Sequence, residues 1–255
     1  MAYIIATDSG CDILPGVLED WGVVSADLTF RFDGEDREYT NREMPAKPFY
    51  DKMRAGGISR TSAVNIEAFM DLFRPVLEAG NDLLYIGFDS GISTTSEHGI
   101  AAARELQEEF PERKIIAIDT LCASGGQGLL VKKAVELKAA GMELEPLAAF
   151  VRSLSPSVAT WFTVDDLVYL KRGGRVSGVS AFVGTALNIK PVGHIDSDGH
   201  LPVIQKVRGR KAALKKMVDG MVDIIKDPEG QRILISHCDC EEDALALKEM
   251  IVKTG

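Results

Sequence analysis

Three short apolar runs, residues 3–7, 83–88 and 115–118, show almost no polar alternation, and that pattern constrains this 255-residue chain most. A strand with one wet face alternates; a strand covered on both faces does not, and covered faces belong to parallel sheets between helical layers. The chain between and after these runs has helical periodicity at 65–78, 95–109 and 126–140, the last closed by Gly141. Strands joined by helices imply a parallel sheet with right-handed crossovers. Residues 23–33 alternate more, which suits a sheet edge.

After Pro156 the pattern changes. A strand is expected at 158–164, followed by an acidic pair (Asp165, Asp166) and the basic loop Lys171-Arg172-Gly173-Gly174-Arg175. Its glycines suit a helix C-terminus, where a left-handed residue is needed and cations complement the dipole. An apolar, small-residue run then ends in Pro191. Residues 188–196 and 201–207 flank Ser197-Asp198-Gly199, a hairpin signal. A helix at 210–225, a strand at 232–237 and a helix at 241–253 complete the pattern. The expectation is an α/β protein: an N-terminal lobe (1–155) with a mainly parallel sheet flanked by helices, and a mixed α+β C-terminal lobe (156–255). A ligand tunnel is expected in the crevice between them.

Composition excludes several classes. Apolar residues make up 45% of the chain, so a full core needs no disulfide or metal staple. A net charge of −9 argues against nucleic acid or an anionic membrane as partner. Two basic clusters depart from that average: Lys206, Arg208, Arg210, Lys211, Lys215 and Lys216, and the glycine loop. No apolar run reaches the roughly 18 residues of a membrane span, and the N-terminus lacks the basic start of a signal peptide. Four irregularly spaced cysteines suit a reducing compartment, so a soluble cytoplasmic protein is expected.

Several polar clusters directly follow an apolar run: residues 7–9, 89–95 and 119–124. In an open parallel sheet such positions gather at the carboxyl ends of the strands, where ligands bind. Thr61-Ser62 precedes the helix expected near Asn65, and Ser93, Thr94 and Thr95 precede another. Free N–H groups and the dipole make such starts anion sites, although each hydroxyl alone is an ordinary N-cap. Asp8 and Asp119 end strands and are expected to hold loop N–H groups. Arg60 is expected to be solvated, and His98 to be a solvated or capping residue. His237-Cys238-Asp239-Cys240 places adjacent side chains on opposite sides of an extended chain, unlike a closed zinc site. Residues 196–199 fit a hairpin tip better than a calcium loop. No phosphate-binding G-x-x-x-x-G-K-[ST], G-x-G-x-x-G or nucleophile elbow occurs, so no metal or cofactor is expected.

Residues 162–191, FTVDDLVYLKRGGRVSGVSAFVGTALNIKP, closely resemble the DegV family, proteins that hold a long-chain fatty acid. Thr7-Asp8-Ser9 with Asp12 and Pro15 is similar to that family's opening motif, and Thr61-Ser62 to its second. Gly91-Ile92-Ser93-Thr94-Thr95 is similar to its Ser-Gly-Leu-Ser-Gly-Thr loop, with Thr94 replacing a usual glycine. Residues 119–128 and 203–210 resemble two further motifs, so the likeness runs from about Tyr3 to Lys211. It implies carboxylate contacts at Thr61 and Ser93, with Ser62, Thr94 and Thr95 as secondary candidates. It implies a non-enzymatic binding subunit that carries an acid such as palmitate in fatty acid metabolism and offers its carboxylate to a fatty acid kinase. Lys171, Arg172 and Arg175 are the expected partner contacts. Family members continue into a glycine-rich segment with a histidine near the carboxylate, a segment expected to be missing here. The alternatives are a kinase or phosphotransferase component acting on a small phosphorylated or hydroxylated substrate, since hydroxyl-rich helix starts bind phosphate equally, and a lipid-sensing regulator.

Overall fold

The apolar runs lie side by side in one parallel sheet, in the order β2 (Val23–Ala26), β1 (Tyr3–Asp8), β5 (Asp82–Gly87), β6 (Ile115–Asp119). The structure, a computed structural model, describes residues 2–177 and 188–254. They divide into two units, one ending at Val158 and the other starting at Ala159.

In the first unit, α1 (Pro15–Asp20), α3 (Ile66–Glu78), α4 (Thr95–Glu109), α5 (Gly125–Ala139) and α6 (Leu144–Leu154) cover the sheet. Successive β5 residues explain the missing alternation. Leu84 and Ile86 join the cluster with Leu130, Val131 and Leu147, while Leu83 and Tyr85 join Phe69, Phe73 and Leu106 on the other face. Both faces are dry, so every position is apolar or fully bonded. The 23–33 segment divides. β2 is an edge strand, as its alternation implied, but β3 (Thr29–Phe32) leaves the sheet and pairs antiparallel with β4 (Ser59–Ser62). Between these two strands lies α2 (Ala46–Arg54), whose Phe49 packs against Phe30 and Phe32 at ring centroids 4.8 and 5.5 Å apart.

The opposite edge is protected by side chains. Gln107 Oε1 accepts from the Ile115 N–H at 3.1 Å, and its Nε2 donates to the Phe110 and Arg113 carbonyls at 3.2 and 2.8 Å. Arg152 Nη2 lies 3.5 Å from the Ala117 carbonyl.

The second unit holds a sheet ordered β7 (Trp161–Thr163), β9 (Ile189–His194), β10 (Leu201–Arg208), β8 (Val176–Ser177). The β9–β10 hairpin turns at Gly199, φ 78°, with Asp196 Oδ1 accepting from the Asp198 and His200 N–H groups at 3.0 and 2.8 Å. Helix α7 (Leu167–Gly173) ends on Gly174 at φ 70°, which donates to the Leu170 carbonyl, as the paired glycines predicted. Helices α8 (Arg210–Ile224) and α9 (Glu241–Val252) pack through Leu214, Val218 and Leu247. The strand expected at 232–237 does not form. Its residues are β-prone, but no strand ladder pairs with them among the described residues, and propensity without a ladder does not make a strand. The small-residue run after the glycine loop lies, from 178 to 187, outside the described residues.

Buried polar groups lock the strand ends of the first unit. Asp8, fully buried at the end of β1, accepts from Tyr85 Oη at 2.7 Å, Phe88 N at 2.9 Å, Gly10 N at 3.0 Å and Gln127 Nε2 at 3.3 Å. Burial pushes its carboxyl above the ordinary 3.8, and the hydrogen bonds from Tyr85, Phe88, Gln127 and Gly10 oppose that rise. The native state therefore holds the Asp8 proton more tightly than the unfolded chain does. Its contribution to stability is fully present below the unfolded value and is lost as pH rises through the native one. We expect the unfolding free energy of wild type minus that of Asp8→Asn to fall as pH rises from below the ordinary carboxyl value of 3.8. Urea titrations across that rise measure it, and a flat difference contradicts the shift.

Gly99 provides a second test. A β-carbon there would sit 2.4 Å from Cε1 of the fully buried Tyr85. Alanine gains about 1 kcal/mol over glycine in a helix, whereas overpacking a core costs about 1–3 kcal/mol. Gly99→Ala should therefore lower stability by up to about 2 kcal/mol in denaturant unfolding, against the usual helical trend.

Candidate functional site

The strand order places the switch in winding direction between β1 and β5, so the loops after these two strands flank the crevice in which such sheets bind ligands. The loop after β5 is held almost wholly by aspartates. Asp89 Oδ1 accepts from Gly91 N at 2.8 Å, and its carbonyl accepts from Ile92 N and Ser93 N, both at 3.1 Å. Asp119, at the end of β6, takes Ser90 N at 3.3 Å and Leu121 N at 3.1 Å on one oxygen. Asp8 holds Phe88 N. The expectation that Asp8 and Asp119 serve loop N–H groups holds for both.

This scaffold delivers Ser93, Thr94 and Thr95 to the start of α4, a 15-residue helix. Ser93 Oγ lies 2.9 Å from Thr95 Oγ1 and accepts from Thr95 N at 3.3 Å. Thr95 is buried, Ser93 half-buried and Thr94 exposed at the cap position, where its side chain caps nothing. Hydroxyls beside the unpaired N–H groups of a helix start favour an anionic oxygen. Among the described residues, the hydrogen-bond partner of the Ser93 hydroxyl is another hydroxyl.

Thr61 and Ser62 sit elsewhere than expected. They are the last two residues of β4, exposed, opposite Phe30 and Thr29. The cap of α3 is Asn65, whose Oδ1 accepts from Ala68 N at 2.8 Å, so this pair is not at a helix start. Arg60 is engaged rather than solvated alone: Nε and Nη2 meet the two Asp33 oxygens at 2.7 and 3.2 Å, which holds the Asp33 carboxyl below its ordinary value. His98 is partly buried and is not the cap of α4, which is Thr94. Its Nδ1 lies 2.7 Å from the Val64 carbonyl, joining α4 to the segment between β4 and α3.

Gln127 escaped the sequence reading, although it stands inside the motif-like stretch 119–128. Fully buried, its Nε2 meets Thr7 Oγ1 at 3.1 Å and the Ile86 carbonyl at 3.3 Å as well as Asp8. Desolvation pushes the Cys11 and Cys122 thiols up to about 12, which leaves both inert. His237 Nδ1 accepts from the Cys240 N–H at 3.3 Å, so that histidine serves a local turn.

In the second unit Lys171 and Arg172 lie in the last turn of α7, and Arg175 follows Gly174; all three are exposed. Arg175 Nη1 donates to the Gly173 carbonyl at 2.7 Å, and the Arg172 guanidinium lies 5.8 Å from the Tyr169 ring centre. Among the described residues, none of the three pairs with a carboxylate. The neighbouring acids are committed: Asp166 caps α7 through Val168 N at 2.9 Å, and Asp165 pairs with the buried Lys190 at 2.6 Å. No described helix is long and apolar enough to cross a membrane.

A DegV domain-containing protein of Clostridium perfringens is 35% identical over 250 residues, which is 98% of this chain and 86% of that one. A DegV family protein of Ruminococcus gnavus, solved with vaccenic acid, superposes with a TM-score of 0.86 at 25% identity, covering 99% of this chain and 89% of the other. A fatty-acid-binding DegV family protein of Streptococcus agalactiae gives 0.85 at 28% identity, covering 100% and 89%. The family model described as uncharacterised protein, DegV family, matches residues 3–255. With two strand-end loops, a hydroxyl cluster and that match along nearly its whole length, this chain belongs to the DegV family.

Proposed function

We propose that this protein binds a long-chain fatty acid and presents its carboxylate to a fatty acid kinase in the cytoplasm, without catalysing a reaction itself. The observation that carries the reading is the Ser93–Thr95 hydroxyl pair at the head of α4, in a chain whose relatives are described as holding vaccenic acid or binding fatty acids. Ser93, Thr95 and Thr94 orient the carboxylate with Thr61 and Ser62.

Magnitudes divide the work. Burying about 14 methylenes at ~0.8 kcal/mol each stabilises the complex by at most about 11 kcal/mol. A hydrogen bond to the charged carboxylate adds only ~1.5–3 kcal/mol. The alkyl tail sets affinity and the hydroxyls set direction, which suits a protein that must hold an acid yet leave its head reachable. Lys171, Arg172 and Arg175 supply the docking surface. On a chain of net charge −9 they are a local positive patch, able to steer an acidic face of the kinase.

Two measurements test the reading. Mass spectrometry of an organic extract from purified protein should find long-chain fatty acid at about one equivalent; folded protein without it contradicts the proposal. Arg172→Ala should leave fatty-acid binding unchanged and slow phosphorylation of the bound acid by the kinase, with the difference from wild type shrinking as salt screens the patch. Equal loss of binding and turnover would move the loop into the ligand site.

A further inference from the structure

Ser93–Thr95 and Thr61–Ser62 stand on separately built supports. The first cluster heads α4, packed on the parallel sheet, and is held by Asp89 within its own loop and by Asp119 on Ser90. The second ends β4 in a two-stranded sheet that shares no ladder with the parallel one. That small sheet has an aromatic core of its own, in which Phe30 lies 5.8 Å from Tyr39 and 4.8 Å from Phe49 between ring centres. A carboxylate gripped by both clusters needs the supports in fixed register, because hydrogen bonds weaken steeply with angle and with tenths of an ångström.

The geometry points to His98 as the residue that sets this register. It lies in the first turn of α4, and its own N–H donates to the Thr94 carbonyl at 3.0 Å. Its ring reaches back 34 residues to the Val64 carbonyl at 2.7 Å. A carbonyl can only accept, so Nδ1 carries the hydrogen and the ring donates. Val64 is buried in the cluster with Phe69 and Phe73, so its carbonyl is a firm anchor. Ser62 lies two residues before it and Thr61 three. Val64 already shares an apolar cluster with Ala102, Ala103 and Leu106 of α4, and the imidazole adds a directional bond between the helix that carries Ser93 and the stretch that carries Thr61. His98 is a positioning residue: it acts through where it holds Thr61.

This inference rests on the fatty-acid reading above, and a double-mutant cycle separates the two. With vaccenic acid as the probe, calorimetry gives the affinity of wild type, Thr61→Ala, Ser93→Ala, His98→Ala and each pair with His98→Ala. Thr61→Ala and Ser93→Ala should each weaken wild type roughly tenfold or more, the loss of one hydrogen bond to a charged group. In the His98→Ala background, Thr61→Ala should cost less than about twofold, since Thr61 is already out of place, while Ser93→Ala keeps its full effect. His98→Asn, whose amide nitrogen falls near Nδ1, should restore the Thr61 effect. A ring that only stabilised the fold would lower the melting temperature without removing this one term.

The same Thr61→Ala factor in both backgrounds, or no Thr61→Ala effect in wild type, overturns the assignment. If His98→Ala does not fold, His98→Gln, which misplaces the amide by one methylene, is read against His98→Asn in the same cycle. Wild type that binds no fatty acid at all sinks the fatty-acid reading instead.

Discussion

A carboxylate withdrawn from water is the fixed point of the first unit. Asp8 ends β1 with no solvent contact and accepts hydrogen bonds from Gly10 in its own loop, from Tyr85 and Phe88 on or just after β5, and from Gln127 on α5. An unpaired buried polar group is costly, and an unpaired charge far more so. These partners therefore have to arrive together. The loop after β5 cannot relax without stripping a donor from Asp8, and that loop carries Ser93. Precision at the surface is inherited from an electrostatic obligation in the interior.

Precision of this kind matters only where the ligand itself supplies little direction. An alkyl chain is gripped by burial, which is proportional to area and indifferent to orientation. On the proposed reading, the few oriented groups at the head decide which end of the acid faces outward. Rigid support under Ser93 and Thr95 then does more for function than additional hydroxyls would. On the same reading, His98 extends that support toward the sheet that carries Thr61.

Much of this organisation is legible in the sequence. Dry strands announce themselves by unbroken apolar runs, and Gly174 at the end of α7 and Gly199 in the Ser197-Asp198-Gly199 turn announce their positive φ. The placement of Ser93, Thr94 and Thr95 at a helix start is legible because the residues after a buried strand are placed by the sheet itself. Nearness to Asn65 in sequence points Thr61 and Ser62 to a helix start; their partners, Phe30 and Thr29, lie about thirty residues away, and no local pattern reports such pairing. The 232–237 segment failed for the converse reason: its composition favours a strand, but strands exist only in ladders. The His98–Val64 bond was invisible because one partner is a backbone carbonyl, which carries no residue identity.

The open side of β6 presents a different consequence. Parallel strands expose alternate backbone groups along an unpaired flank, and here the Ile115 N–H is already taken by Gln107 while Arg152 stands over the Ala117 carbonyl. A strand from another molecule would have to evict an amide and desolvate a guanidinium before gaining its first bond. Intermolecular sheet growth at this flank starts uphill, and aggregation resistance is therefore written into two side chains of α4 and α6.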